Sequence, residues 1–140
     1  LHVVLDARPD VVGHNVETVE DLYRRVRPVA SYTQSLRVLE ESSRYRDERA
    51  AGMRTKSGIM VGLGETTEQL VATIRDIAGA GCDIITIGQY LSPKRNSLQV
   101  EKFYTPEEFD FLRDKAREFG IKHAESAPLV RSFVSGPWPE

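Results

Sequence analysis

What most limits the possible folds of this chain is an alternation of short, continuously apolar runs with amphipathic stretches carrying helix caps. Ile59-Met60-Val61, within TKSGIMVGLGET (residues 55–66), and the run DIITIG (residues 83–88) lack the every-second-residue polarity of a half-solvated strand. Strands of that kind belong to a parallel sheet covered on both faces. The intervening segments read as helices. Thr18 is placed to cap a short helix over 19–26 that Pro28 ends. A second helix is predicted from Thr33, with Leu36 and Leu39 on its buried side, to a stop at Gly52. Thr66 or Thr67 caps a third, with Leu70, Ile74 and Ile77 inward. Thr105-Pro106-Glu107-Glu108 supplies the cap, first-turn proline and acidic third residue of a capping box, and Phe109, Leu112, Ala116 and Phe119 line that helix. A last strand is predicted over 121–124. The pattern is α/β with a parallel sheet, and three or four βα units in 140 residues amount to about half of a βα barrel.

Composition narrows the function. Nineteen basic against 21 acidic residues leave a net charge of −2, which provides no broad footprint for nucleic acid or an anionic membrane. One cysteine, Cys82, excludes an internal disulfide framework and a thiolate metal site, and favours a reducing compartment. Beside Gly81 it reads as a small core residue. The sequence opens in LHVVLDARPD without Met or a basic-plus-apolar leader, as a piece of a longer protein would.

In parallel α/β sheets, ligands bind at the carboxyl ends of strands. Asn15 and Glu17, Gly62–Glu65, Gln89 with Tyr90, and the segment 126–132 all fall there. On an extended chain, Asn15 and Glu17 of GHNVET point to one face. One amide and one carboxylate complement the vicinal diol of a ribose. The alternative is that Asn15 turns the chain and Glu17 joins the next helix's first turn. His14 reads as a hydrogen-bonded structural histidine. Glycines after a strand suit close backbone approach to a ligand or a positive φ. Gly62-Leu63-Gly64-Glu65 lacks the third glycine of a dinucleotide fingerprint and places a carboxylate where phosphate would be repelled, so it fits a neutral or cationic ligand face or an ordinary βα turn. Lys56 can meet an anionic group or remain solvated. Gln89-Tyr90-Leu91 can stack on a flat base and bond it through the backbone. Arg24, Arg25 and Arg27 form either an anion-holding cluster or a solvated helix face.

Together HNVET, YRRVRP, TKSGIMVGLGET, TIGQYLSP and PLVRS resemble lipoyl synthases, radical S-adenosylmethionine enzymes, in order and approximate spacing from Pro9 to Ser132. GIMVGLGE is similar to the G-x-I-x-G-x-x-E element of the radical superfamily, with Met60 in place of isoleucine. The resemblance implies the C-terminal half of a partial (β/α)6 TIM-like radical barrel over residues 1–125 and a C-terminal segment over 126–140. It implies cofactor contacts at Asn15, Glu17, Gly58, Gly62, Gly64, Glu65, Gln89, Tyr90 and Leu91, with Lys56 or Ser57 orienting the methionine moiety. Ser132 matches the first serine of the family's R-S-S-Y motif, an oxygen ligand to an auxiliary iron–sulfur cluster. The implied cofactors are S-adenosylmethionine and two [4Fe-4S] clusters. The implied reaction inserts two sulfur atoms into an octanoyl chain on a carrier protein's lysine, with electrons from ferredoxin or flavodoxin, and with no nucleic acid or membrane partner. The resemblance implies a cytoplasmic setting, although the family also occurs in mitochondria and plastids. Both family cysteine motifs are absent from these residues, so the chain by itself is expected to be inactive. Phe133-Val134, Val29 and Ala127 depart from the family pattern. A biotin synthase-like enzyme, a non-catalytic nucleoside- or carrier-binding module, and an unrelated barrel with a phosphate site are the alternatives.

Overall fold

The computed structural model of the chain describes residues 1–130. After a short helix α1 (His2–Asp6) come strand β1 (Val11–Gly13), a 3-10 turn at Glu20–Leu22, and helices α2 (Tyr23–Val26) and α3 (Tyr32–Arg49). Strand β2 (Arg54–Val61), helix α4 (Thr67–Gly79), strand β3 (Ile84–Gln89), helix α5 (Pro106–Glu118) and strand β4 (His123–Ser126) follow. The four strands are parallel in the order β1-β2-β3-β4, leaving a sheet that does not close. It is part of a TIM-like barrel.

Local rules explain most helix starts. Thr66 with Gln69, and Thr105 with Glu108, form reciprocal capping boxes, and Pro106 occupies the first turn of α5. The long helix α3 begins one residue before the predicted Thr33 because Ser31 accepts from the Gln34 amide, and it ends at Arg49 rather than Gly52. Thr18 does not cap. Its hydroxyl is buried without a partner, and regular turns start only at Glu20, because the preceding residue is still paired to β2. The last strand begins later than predicted: Gly120, at φ +101°, and the bond from the Ile121 amide to Ala116 still belong to the end of α5.

The two faces of the sheet differ, and this refines the expectation of apolar cover on both. Ile59, Val61, Ile85, Ile87 and Ala124 pack against Leu39 of α3, Leu70, Ile74 and Ile77 of α4, and Phe109, Leu112 and Ala116 of α5. Alternate positions face the other way and are mixed: Lys56, Gly58, Thr86, Gly88 and Glu125 are small or polar, while Met60 and Ile84 are apolar. Burial of the first set drives the fold at about 25 cal/mol per Å2 of apolar surface. The second set lines the inside of the partial barrel. At the amino ends of the strands, Arg46 holds Asp83 at 2.5 Å while Asp83 also accepts from the Thr55 amide at 2.9 Å. Among the described residues no helix is long and apolar enough to cross a membrane.

Candidate functional site

A cavity of about 280 Å3 opens at the carboxyl ends of β2 and β3. Its floor is Gly58, Met60, Thr86 and Gly88; its walls are Asn15 and Glu17 on one side, Tyr90, Leu91 and Pro93 on another, and Val130 across the end.

Asn15 and Glu17 reach it by a route that simple alternation does not describe. Gly13 pairs with Lys56, yet Glu17 pairs with Ile59, so the first strand's continuation carries one residue more than β2 over the same length. This is a bulge, a device that re-aims side chains next to functional sites. Its backbone is tied to β2 by four bonds: His14 donates to the Lys56 carbonyl, Val16 to Ser57 Oγ, Glu17 to the Gly58 carbonyl, and Met60 back to the Glu17 carbonyl. Glu17 takes φ +77°, a left-handed conformation that a residue with a Cβ adopts at some energetic cost. Tyr23 hydroxyl donates to the Val16 carbonyl and Arg27 to that of Asn15, clamping the bulge from α2 and the residue that follows it. Among the described residues neither the Asn15 amide nor the Glu17 carboxylate has a hydrogen-bond or ion-pair partner, so both are available to a ligand.

Gly58 is needed where it stands. A Cβ there would lie 2.7 Å from Thr86 Oγ1 and 3.1 Å from Asn15 Oδ1. Gly88 is needed for another reason, since its Cβ would meet the Val130 carbonyl at 2.4 Å. The chain leaving β4 thus crosses directly over β3, held by bonds from Ala127 to Ile87 and from Gln89 to Pro128.

The other sequence-predicted residues lie elsewhere. Ser57 is fully buried on the helix side and accepts from the Val16 amide. Lys56 shares the inner face with Gly58 but sits deeper; it is 7% exposed rather than solvated, and burial lowers its pKa while Glu125 opposes that shift. The Gly62–Glu65 turn does not line the cavity. Gly62, at φ +104°, is closed over by Gln89 Nε2 and the Lys102 carbonyl, and the Glu65 carboxylate accepts from the Gly62 and Leu63 amides and from Tyr104 hydroxyl. Gly64 faces Arg25 and Glu101. Gln89 borders the cavity, but its amide is bonded to Tyr90, Lys102 and Tyr104. The arginine cluster is partly structural, with Arg25 donating to the Leu63 carbonyl at 2.5 Å. His14 bonds Ser35 at 3.1 Å, and Cys82 is a buried core thiol. Ser132 lies outside the described residues. Thr86 and Gly88 are not among the sequence-predicted contacts, although the small and polar alternates within DIITIG signal them, and Val130 falls within the segment 126–132 expected at the rim.

An open parallel sheet with helices outside and a ligand-sized cavity at the strands' carboxyl ends defines part of a TIM-like βα barrel, a class that binds its ligands at that rim. No family model matches the chain. In sequence it is 52% identical over 132 residues to the lipoyl synthase of Rubrobacter xylanophilus, covering 94% of this chain and 40% of that relative. To the lipoyl synthase of Chlorobium phaeovibrioides it is 48% identical over 137 residues, covering 97% and 46%. To that of Methylococcus capsulatus it is 51% identical over 124 residues, covering 89% and 37%. The chain belongs to the lipoyl synthase family, as a portion of such a protein, and spans less than half the length of the curated relatives it matches.

Proposed function

We propose that this chain is the cofactor-side portion of a lipoyl synthase, and that the cavity takes the nucleoside and methionyl parts of S-adenosylmethionine. One observation carries the reading: the Asn15 amide and Glu17 carboxylate stand unpartnered beside Gly58, where a larger residue would collide. Glu17 accepts from the two ribose hydroxyls, and Asn15 supplies a donor and an acceptor. Met60, Tyr90 and Leu91 give apolar and aromatic surface for a flat base. Lys56, deeper on the same face, is placed for a carboxylate at the methionyl end. The glycine turn enters as support rather than as ligand contact.

When bound, S-adenosylmethionine and a reduced iron–sulfur cluster supply hydrogen abstraction from an unactivated carbon, which no side-chain base can achieve. This chain's residues orient the nucleoside and shield it from water. For the clusters the fit is different. The described residues hold no group of three or more His, Cys, Asp or Glu able to bind a metal ion, and Cys82 is buried near the amino ends of the strands. No step is assigned to a cluster from these residues; a role for Ser132 as an oxygen ligand rests on the resemblance of PLVRS alone. In the whole protein the reaction is sulfur insertion into an octanoyl chain on a carrier domain, with electrons from a ferredoxin- or flavodoxin-like donor, in the cytoplasm. The isolated chain is inactive in this reading. A phosphate-binding barrel is disfavoured because the Gly62 and Leu63 amides that a phosphate would need already serve Glu65.

Calorimetric titration of S-adenosylhomocysteine into the intact protein tests this. Glu17→Ala is expected to weaken binding by about 1–3 kcal/mol, the range for a charge-assisted hydrogen bond. Unchanged affinity would remove Glu17 from the site.

A further inference from the structure

Between β3 and α5 the chain runs through a long loop, residues 90–105, that provides the Tyr90, Leu91 and Pro93 wall of the cavity. A loop of this length with little regular structure loses much conformational entropy on being held in one place. Something must hold it, and two buried polar side chains on separate elements, Gln89 and Glu65, do so by meeting Tyr104 and its neighbours in the loop. Gln89, at the end of β3, donates from Nε2 to the Lys102 carbonyl at 2.9 Å and the Tyr90 carbonyl at 3.0 Å, and its Oε1 accepts from the Tyr104 amide at 2.9 Å. Glu65, in the turn after β2, accepts from the Gly62 and Leu63 amides at 3.0 Å each and from Tyr104 hydroxyl at 2.7 Å. Two backbone bonds complete the attachment, from Tyr90 to Val61 and from Glu101 to Gly62. Tyr104 alone belongs to both side-chain sets: its amide meets Gln89 and its hydroxyl meets Glu65.

We propose that Tyr104 is a positioning residue for the cavity: its hydroxyl, through Glu65, staples the 90–105 loop to the Gly62–Glu65 turn and so sets the Tyr90–Leu91–Pro93 wall before a ligand enters. Glu65 therefore acts from behind the site, and the acidic end of GLGE is an anchor for the neighbouring loop. The bond has the strength of its kind, an O–H donating to a carboxylate inside the protein. Tyr104, Glu65 and Gln89 are 7%, 9% and 9% exposed, so water competes poorly for these groups. Burial first, and then the Glu65 carboxylate, push the Tyr104 phenol far above its ordinary range, so it stays a donor at every physiological pH. Gly62 completes the joint, because any side chain there would displace Gln89 and Lys102.

That the wall faces S-adenosylmethionine rests on the proposed function; the staple itself does not. The test uses the intact protein with Tyr104→Phe, which removes one oxygen and keeps the ring's packing on Phe109. Amide hydrogen exchange of residues 90–105 is followed in the ligand-free protein, together with calorimetry using S-adenosylhomocysteine. Exchange in the loop is expected to accelerate while exchange in α4 and β3 is unchanged. Affinity falls about tenfold if the wall is then correctly placed a tenth of the time. Saturating ligand restores the loop's protection, a recovery that a merely structural tyrosine would not show. Glu65→Gln leaves one oxygen for the three donors that meet Glu65, so it is expected to loosen the same loop, and it provides the readout should Tyr104→Phe fail to fold. Unchanged loop exchange in both variants overturns the proposal. A looser loop in a protein that binds no S-adenosylhomocysteine even as wild type upholds the staple and overturns the cofactor reading instead.

Discussion

Replacing Gly58 with alanine adds a single carbon at the most confined point of the cavity floor. The new Cβ would stand 2.7 Å from Thr86 Oγ1, a separation that folded proteins essentially never show, and 3.1 Å from Asn15 Oδ1. Thr86 cannot easily yield. It is β-branched, 3% exposed, and flanked by Ile85 and Ile87, which are fully buried in the core. Overpacking of this kind costs about 1–3 kcal/mol. Displacing Asn15 would also forfeit one or two neutral hydrogen bonds to a ligand, about 0.5–1.5 kcal/mol each. Urea unfolding of the intact protein is the assay, with the midpoint expected to fall while the slope stays constant. The combination Gly58→Ala with Thr86→Ala should recover most of the stability because it removes the closer collision, yet it should not restore ligand affinity, because Asn15 remains displaced. A Gly58→Ala protein as stable as wild type, or a double variant no better than the single, would refute the reasoning.

Burial first and then the charge of Arg27 lower the pKa of His14, with Glu17 acting in the opposite direction. The unfolded chain takes up a proton near the ordinary value of 6.5 that the folded ring resists. This contribution is therefore present above that pH and is lost as pH falls through it toward the lowered folded value. Urea midpoints should decline between about pH 7 and pH 5, and His14→Gln should flatten the decline; identical slopes would exclude His14 as a source. Burial pushes the Cys82 thiol up to about 12, and its Sγ lies 3.1 Å from the Ile84 carbonyl. Iodoacetamide should therefore label Cys82 at neutral pH only as fast as the protein opens, and labelling of the folded protein at the rate of a free thiol would contradict its placement.

The legible parts of the fold are those written within a few residues. Thr66 and Thr105 were readable as caps because a capping box joins a residue to its neighbour three positions on. Thr18 offered the same local signal and did not cap, since pairing of Glu17 with Ile59 continued past the point where a helix would start. Asn15 and Glu17, grouped in the sequence by their spacing, line one cavity through a bulge and a left-handed Glu17 rather than through plain strand alternation. Glu65 was read as facing a ligand because nothing near it in the chain announces Tyr104, 39 residues away.

By itself the sequence determined the alternation of strands and helices, the parallel sheet, the rim on which a ligand would sit, and the family, because periodicity, caps and motif order are properties of neighbouring residues. Only the tertiary structure decided which rim residues reach the cavity. Gly58 and Gly88 matter for what lies across from them, Glu65 turns away, and Gln89 borders the cavity with its amide already occupied, because the returning 90–105 loop satisfies their polar groups first. A buried amide or carboxylate bonds to whatever partner folding brings within 3 Å. For these residues the partner comes from a distant part of the chain.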